Sequence, residues 1–332
     1  MQPSVRNEVA TFGPNVMDII ARSLQHSGHQ TGTKRECRFE IKCGGGATNV
    51  GSHLQTLGCR PAGVLLMGPQ TDFRVSRELE ARFPEAYQLP VLERSRMSIL
   101  LPGGTCYTDR SPATVSELPE NYRHIFSTAA WSVVAPMLAQ DNPLVRSVMK
   151  CSNRTVLLLS SDQLQQEDRF SLMAEAYMVI LNDQELQAAT GESDRYEGIN
   201  ILRDHGVRKV VVTSRDSVLA YANGGFIYER AFEVQTVRQS VDAGDVFTAS
   251  LVASLASGDD LRTAIQSGLA GAADHVEGRN PARSLKELQR RATGRERQPF
   301  VPPRTAVSPS RTVVKWLTAA AGLLLPFVWG AF

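Results

Sequence analysis

The chain has 332 residues, of which 42% are hydrophobic and 21% charged, with a formal net charge of +2 at pH 7. This length is sufficient for a large α/β core, and the small net charge gives no support for nucleic-acid binding. The five cysteines are scattered and odd in number, and the chain has no Cys/His spacing typical of a zinc site. They indicate reduced thiols rather than a disulfide framework.

Short apolar runs alternate with helix-length segments through most of the chain. The runs predicted as strands are Cys37 to Lys42, Ala62 to Met67, Trp131 to Val134, Thr155 to Leu159, Met178 to Leu181 and Val210 to Thr213. Ser98 to Leu101 and Cys106 to Thr108 predict a hairpin around Pro102-Gly103-Gly104. The alternation predicts an α/β fold, with a central mostly parallel sheet and helices on both faces. Ligands then bind at the carboxyl ends of the strands.

A glycine-rich segment, Gly44-Gly45-Gly46-Ala47-Thr48-Asn49, lies between a predicted strand and a predicted helix. The helical pattern of Val50, Leu54 and Leu57 stops at Gly58. Glycines let the backbone approach a ligand closely, and the Asn49 amide offers a donor and an acceptor to hydroxyl groups. The alternative is a flexible loop, because a glycine triplet alone is a weak signal.

A second segment, Val241-Asp242-Ala243-Gly244-Asp245-Val246-Phe247, precedes the apolar helical run Thr248 to Leu255. A helix that begins here leaves the N–H groups of Ala243, Gly244 and Asp245 without intrahelical partners, which favours an anion. The Asp245 carboxylate beside that anion is placed to take a proton from an attacking hydroxyl. The combination indicates phosphoryl transfer. The alternative is an aspartate N-cap after a tight glycine turn.

Together, the two segments resemble the two signatures of the ribokinase-like, or PfkB, family of carbohydrate kinases. Further motifs follow in family order: Asn15-Val16-Met17-Asp18, Leu181-Asn182-Asp183-Gln184-Glu185 and Val210-Val211-Val212-Thr213. The resemblance covers about residues 8 to 292, and the order of the motifs makes it more specific than any single one. It implies a ribokinase-like domain over residues 1–292 with a small β lid, whose strands are expected within residues 35–45 and 97–110.

The resemblance also implies roles for individual residues. Asp245 would be the catalytic base, and the N–H groups of Ala243 and Gly244 would form the anion hole. The residues expected to hold the acceptor are Asp18, at the end of the first strand, with Gly44, Gly45 and Asn49. The residues expected at the nucleotide and its phosphates are Asn182, Glu185, Thr213 and Arg215, with Glu185 acting on magnesium indirectly. The implied cofactors are ATP and Mg²⁺.

Three departures from the family pattern concern the phosphate site. Asp242 replaces a glycine, and both family glycines after Thr213 are missing from Ser214-Arg215-Asp216-Ser217-Val218. Gln239 replaces the aspartate associated with a monovalent cation. At about 4 Å and an effective dielectric of about 20, a carboxylate repels a unit negative charge by roughly 4 kcal/mol. Asp242 is therefore expected to weaken phosphate binding unless it points away or binds a cation, and Arg215 would partly compensate.

The expected function is ATP-dependent phosphorylation of a hydroxyl on a sugar, a nucleoside or a sugar-like small molecule. The alternative is a catalytically impaired pseudokinase that acts as a membrane-held sensor or scaffold, which the departures at Asp242, Gln239, Arg215 and Val218 favour. A homodimer is a further expectation. A dinucleotide-dependent enzyme is disfavoured, because no Gly-x-Gly-x-x-Gly follows the first strand.

The C-terminal sequence differs in kind from the rest. Residues 293–312 are rich in arginine and proline and predict a linker. Residues 313–332 are almost entirely apolar and just long enough for a transmembrane tail anchor. Arg304, Arg311 and Lys315 lie on the N-terminal side of this segment, which predicts a kinase domain that faces the cytoplasm. The alternative is a helix packed on the domain or on a partner subunit.

Overall fold

The structure of the chain, a computed structural model, describes residues 8–23, 37–69, 73–101, 106–109, 111–136, 138–238 and 240–295. The strands are β1 (Val9–Pro14), β2 (Val16–Ser23), β3 (Cys37–Gly44), β4 (Pro61–Leu66), β5 (Ala86–Leu89), β6 (Arg96–Leu100), β7 (Cys106–Thr108), β8 (Trp131–Val134), β9 (Thr155–Leu158), β10 (Met178–Asn182), β11 (Val210–Thr213), β12 (Ser217–Ala222) and β13 (Gly225–Arg230). The helices are α1 (Gly46–Thr56), α2 (Phe73–Arg82), α3 (Glu120–Thr128), α4 (Asn142–Cys151), α5 (Ser161–Leu164), α6 (Arg169–Glu175), α7 (Asp183–Thr190), α8 (Arg195–Asp204), α9 (Ala243–Ala256), α10 (Leu261–Val276) and α11 (Leu285–Thr293).

Nine strands form the central sheet, in the order β13-β12-β11-β10-β9-β8-β1-β4-β5. Every neighbouring pair from β11 to β5 is parallel, and the β11–β12 and β12–β13 pairs are antiparallel. All residues of β1 and β4 are buried, because helices cover both faces of the sheet. The predicted α/β fold with a mostly parallel sheet is confirmed.

Two large apolar cores lie on the two faces of this sheet. One contains Phe12, Phe126 and Leu172, and the other contains Val50, Phe247 and Ile265. Helix α9 belongs to the second core and is buried at every residue from Val246 to Ser254. It is enclosed on all sides because α1 and α10 also pack against it. Its N-terminus is thereby held rigidly beside the start of α1.

Four strands form a second sheet, the lid, in the order β3-β2-β6-β7. The predicted hairpin is present as the antiparallel β6–β7 pair, whereas the residues of its turn, 102–104, lie outside the described residues. Strand β2 differs from the expectation that Asp18 ends the first strand. The first strand ends at Pro14, and Asp18 lies inside β2, which pairs with β3 along its whole length. The chain enters the lid directly after Asn15, and Asp18 therefore lies on the lid strand β2.

A buried ion pair lies where the lid strand β6 begins. The Arg96 side chain is fully buried, and its Nη2 lies 2.7 Å from Oδ2 of Asp141. Its Nε donates to the carbonyl oxygen of Ser111, and the other Asp141 oxygen accepts from the N–H of Ala113. Such a pair is costly to break on one side only, because the remaining charge stays buried. It fixes the lid to the segment that precedes α4.

Within the described residues, no helix combines the length and the apolar character needed to cross a membrane. The described part of the chain ends at residue 295. The predicted tail anchor over residues 313–332 and nearly all of the predicted linker lie outside it.

Candidate active site

The junction of β3 and α1 brings a glycine backbone against a carboxylate. A Cβ atom on Gly44 would lie 1.7 Å from Oδ2 of Asp18, which real side chains do not allow. Gly45 has a φ of +94°, and a Cβ there would lie 2.4 Å from the carbonyl oxygen of Pro14. Both positions therefore require glycine. The close approach places the buried Asp18 carboxylate directly beside the glycine loop.

Asp18 is in an environment that favours its neutral form. The pKa of Asp18 is raised to about 6, mainly by burial and also by the negative charge of Asp242, while Lys42 and Arg82 act in the opposite direction. A carboxyl group with this pKa can accept or donate a hydrogen bond near neutral pH. Its chemistry suits a hydroxyl-bearing ligand.

The N-terminus of α9 faces the same region. The first helical hydrogen bond runs from the N–H of Val246 to the carbonyl oxygen of Asp242, at 3.0 Å. The Ala243 N–H makes a long 3.4 Å hydrogen bond to Ser240, which differs from the expectation that it is unpaired. Gly244 has open space around it, since a Cβ there would meet nothing within 4 Å. The N–H groups of Gly244 and Asp245 are thus the ones best placed for an anion.

One amide connects the two predicted segments. The Asn49 Nδ2 group lies 2.8 Å from Oδ2 of Asp245 and 3.1 Å from Oδ1 of Asp242. The other Asp242 oxygen forms an ion pair with Nζ of Lys42, at 3.0 Å. The Asp242 carboxylate therefore has a cation partner, which is the condition that relieves its repulsion of phosphate. Sequence reasoning gave Lys42 no role. Residues two apart in a strand share a face, however, so Lys42 could have been placed on the same face of β3 as Gly44.

Asp245 is a second carboxyl group of the site whose pKa is raised. The pKa of Asp245 is raised to about 7, mainly by burial and also by the negative charges of Asp242 and Asp18, against the opposing effects of the Asn49 hydrogen bond and Lys42. A base works best when its pKa lies near the operating pH, because it is then deprotonated yet still basic. The environment of Asp245 meets this requirement.

A cavity of about 400 Å³ extends from Asp245 along the carboxyl ends of β8 to β11. The predicted residues Asn182, Glu185, Thr213 and Gly244 line it. The other lining residues are Gly46, Ala135, Pro136, Leu158, Leu159, Ser160, Ile180, Leu181, Phe247 and Thr248. The cavity thus joins the anion site to the strand ends, as the parallel-sheet prediction requires.

Asn182 and Glu185 also have a structural role that the sequence reasoning missed. Oδ1 of Asn182 accepts from the N–H of Glu185 at 2.9 Å, and Oε2 of Glu185 accepts from the N–H of Asn182 at 2.8 Å. This is a capping box at the start of α7, which Asn-x-x-Glu before a helix could have predicted. Burial raises the pKa of Glu185. The described residues contain no group of three or more side chains suited to a metal. Glu185 is a carboxylate on the wall of the cavity, and carboxylate oxygens are among the ligands that Mg²⁺ accepts.

The loop after β11 is closed by serine and aspartate instead of glycine. The Ser214 hydroxyl donates to Asp216 at 2.7 Å, and the Ser214 N–H donates to the carbonyl oxygen of Ser217 at 2.9 Å. Arg215 is exposed in this loop and is not among the residues that line the cavity. The remaining departure, Gln239, lies outside the described residues.

The family follows from the match of residues 114–288 to the model of pfkB family carbohydrate kinases. The matched region is more than half of the chain and contains Asn182, Glu185 and Asp245. The chain belongs to the pfkB family of carbohydrate kinases. Asp18, Gly44 and Asn49 precede the region that matches the pfkB family, so the structure alone brings them to Asp245. The chain matches no curated protein sequence.

Solved structures of pfkB-type and ribokinase-like proteins share the fold. A putative ribokinase from Agrobacterium tumefaciens has a TM-score of 0.73 at 15% identity, over 86% of this chain and 97% of that chain. Arabidopsis thaliana ribokinase, solved with ribose and ATP, has a TM-score of 0.70 at 14% identity, over 87% of this chain and 99% of that chain. Escherichia coli phosphofructokinase-2 has a TM-score of 0.63 at 17% identity, over 86% and 98% of the two chains. At these identities, the similarity concerns the fold.

Proposed function

We propose that this protein transfers the γ-phosphoryl group of ATP to a hydroxyl of a sugar or nucleoside. The observation that carries the proposal is the position of the Asp245 carboxylate. It lies at the N-terminus of α9, within 2.8 Å of the buried Asn49 amide and at the end of the cavity along the strands. A base, an anion site and a set of hydroxyl-binding groups thus meet at one point. The family and the ribose and ATP complex of the Arabidopsis ribokinase support the choice of donor and acceptor.

In the proposed reaction, Asp245 takes the proton of the acceptor hydroxyl as its oxygen attacks the γ-phosphorus. The bond from this phosphorus to the β,γ-bridging oxygen breaks, and ADP leaves. The N–H groups of Gly244 and Asp245 stabilise the negative charge on the transferred group, with Ala243 beside them. Asp18 and Asn49 hold the acceptor hydroxyls. Asn182, Glu185 and Thr213 line the donor side, where Mg²⁺ would neutralise phosphate charge and Glu185 would be its carboxylate partner.

The sensor or scaffold alternative was based on the departures at Asp242, Gln239, Arg215 and Val218, and among these Asp242 brings a negative charge to the phosphate site. The ion pair with Lys42 offsets that charge, and the Asn49 amide contributes a second hydrogen bond. We therefore favour an active kinase over a protein that has lost nucleotide binding. The charge of Asp242 is thus offset by Lys42 and not by Arg215, which is exposed.

The test is an assay of ADP release with Mg²⁺ and ATP against a panel of sugars and nucleosides. An active kinase gives acceptor-dependent ADP release and a phosphorylated product that mass spectrometry detects. In calorimetry, Mg²⁺ and ATP bind with micromolar to millimolar affinity, as is usual for kinase substrates. Acceptor binding without any ATP binding would instead support the sensor.

We also propose that residues 313–332 anchor the protein in a membrane with its kinase domain in the cytoplasm. The support is the apolar composition of this segment and the position of Arg304, Arg311 and Lys315 before it. Lys315 is compatible with an anchor, because a lysine near the end of a membrane helix can extend its ammonium group to the interface.

A homodimer is proposed through the lid face opposite the site. Ile41, Ile19, Ile99 and Tyr107 are aligned in register across all four lid strands. Ile41, Ile99 and Tyr107 are 45%, 38% and 62% exposed, which is high for residues of this size. Side chains alternate along a strand, so this apolar row faces away from Asp18. A second copy with the same row would cover it symmetrically.

A further inference from the structure

Asp242 has an unusual backbone conformation for a residue with a side chain. It is the N-cap residue of α9 with a φ of 66°, in the left-handed region that favours glycine. An aspartate N-cap normally accepts hydrogen bonds from the first turn of its helix, but the Asp242 side chain makes none. The carboxylate is therefore committed to other partners, and these explain why an aspartate is useful here.

The partners of Asp242 come from two other elements. Lys42 lies on the lid strand β3, and its Nζ is 3.0 Å from Oδ2 of Asp242. Asn49 lies on α1, and its Nδ2 is 3.1 Å from Oδ1 of Asp242. Each carboxylate oxygen thus has its own donor. The Lys42 and Asp242 side chains are 22% and 17% exposed, so their pairing is only partly screened by water.

The two carboxylates determine which way the Asn49 amide points. Both protons of its NH₂ group are used, one by Asp242 and one by Asp245. The reversed amide would place a carbonyl oxygen against two carboxylates, which is repulsive. Asn49 is only 3% exposed, and its Oδ1 is buried with no hydrogen-bond partner among the described residues. A buried acceptor without a partner is costly, so the two hydrogen bonds of the NH₂ group are what hold Asn49 in this orientation.

The reaction itself removes one of these constraints. When Asp245 takes the acceptor proton, its carboxyl group becomes a donor, and it no longer requires the NH₂ side of the amide. Asp242 remains an anion next to Lys42, so it continues to bind the NH₂ group. We propose that Asp242, paired with Lys42, is a positioning residue that keeps the Asn49 amide oriented toward the acceptor hydroxyl while Asp245 is protonated. The catalytic part of this role rests on the proposed kinase function.

The first experiment needs neither turnover nor a known acceptor. It follows the Asn49 side-chain NH₂ signal by NMR with ¹⁵N-labelled asparagine, assigned by its loss in Asn49→Ala, as pH is lowered through the titration of Asp245. In the wild type and in Asp242→Asn, which keeps an acceptor oxygen, exchange of these protons with solvent stays slow. In Asp242→Gly, exchange is expected to be about 3- to 10-fold faster at pH 6 than in Asp242→Asn, which corresponds to one net hydrogen bond.

The same titration separates positioning from a merely structural role. The charged groups that act on Asp245 are Asp242, Asp18 and Lys42, and those that act on Asp18 include Glu78 and Arg82. Asp242→Asn removes a negative neighbour and should lower the pKa of Asp245, whereas Lys42→Met removes a positive neighbour and should raise it. A general loss of structure in the site would not shift the pKa of Asp245 in opposite directions in the two variants. Asp204→Asn and Lys150→Met, on exposed residues, are the matched controls.

The kinetic consequence is measured with whichever acceptor the panel identifies. We compare the KM for the acceptor in Asp242→Gly with that in Asp242→Asn. The ratio of these two KM values should rise about 3- to 10-fold as pH falls from 8 to 6. Lys42→Arg keeps the positive charge and should retain the wild-type dependence of the acceptor KM on pH. Equal exchange rates in the two Asp242 variants at pH 6, or pKa shifts of Asp245 in one direction, overturn the proposal. An absence of turnover in the wild type counts against the kinase function alone, because the NMR result still decides whether Asp242 holds the amide.

Discussion

Asn49 and Asp245 are 196 residues apart in the sequence, and their side chains meet at 2.8 Å. Each lies in the first turns of a helix, and the two helices, α1 and α9, pack against each other beside the central sheet. The contact joins the part of the site proposed to hold hydroxyls to the part proposed to hold an anion. It is the geometry on which the proposed phosphoryl transfer depends.

Asp245→Asn tests the proposed base. The asparagine is isosteric and can still accept from the Asn49 amide, so the folded structure and acceptor binding should be retained. The turnover number should fall by about 10² to 10⁴, the usual contribution of general-base catalysis. Wild-type turnover should itself decline as pH falls below about 7, where Asp245 becomes protonated. Near-normal turnover in the variant would remove Asp245 from the mechanism.

The same substitution should change the pH dependence of stability. The pKa of Asp245 is raised in the folded state from 3.8 to about 7, so folding favours the protonated form. Its contribution to stability is fully present below pH 4 and is lost as pH rises through 7. Asp245→Asn should therefore be more stable than wild type at pH 8, by up to a few kcal/mol, with little difference near pH 4. Urea unfolding at both pH values measures this, and equal stability at pH 8 would mean that the Asp245 pKa is not raised.

Gly44→Ala tests the close approach of the glycine loop to Asp18. The new Cβ would lie 1.7 Å from the Asp18 carboxylate, so the loop or the carboxylate must move. We expect acceptor KM to rise by 10-fold or more, since Asp18 leaves its position for hydroxyl binding. Gly225→Ala is the control, because a Cβ there meets nothing within 4 Å. Unchanged kinetics in Gly44→Ala would show that the acceptor does not need Asp18 in this position.

The tail prediction concerns location. The full-length chain should fractionate with membranes and resist carbonate extraction, whereas a chain that ends at Ser310 should be soluble. The shorter chain should retain kinase activity, because the described residues of the site all precede residue 296. A full-length protein that is monodisperse in buffer without detergent would contradict the anchor and favour a helix packed on protein.

The lid-face prediction concerns association. Ile99→Lys places a charge in the middle of the exposed apolar row, next to Ile19 and Tyr107 in register. We expect the dimer to dissociate at micromolar concentration, because a charge at the centre of an apolar interface is left unpaired. Sedimentation of the soluble chain that ends at Ser310 measures this without interference from the tail. A wild-type chain that sediments as a monomer at 100 µM would reject the proposal.

The sequence alone determined most of the sheet and the position of Asp245 at the start of a helix. Runs such as Trp131 to Val134 and Val210 to Thr213 were recognised because buried parallel strands are apolar on both faces. The start of α9 was recognised because small residues before an acid mark a helix N-terminus. These signals are local, and each is complete within a few residues. The lid strand β2 was missed because the chain continues from β1 into β2 with only Asn15 between them.

Only the tertiary structure decided how the charges of the site combine. The sequence indicated that Asp242 would disturb a phosphate, but its cation partner Lys42 lies 200 residues away. The raised pKa of Asp245 likewise depends on burial and on carboxylates that come from β2 and from the start of α9. Coulomb energies depend on the distance between charges, and desolvation energies depend on burial. Neither quantity can be read from the order of residues in the sequence. The motifs therefore predicted which residues to consider, and the fold determined that Asp242 pairs with Lys42, that Asn49 contacts both aspartates and that the pKa of Asp245 is raised.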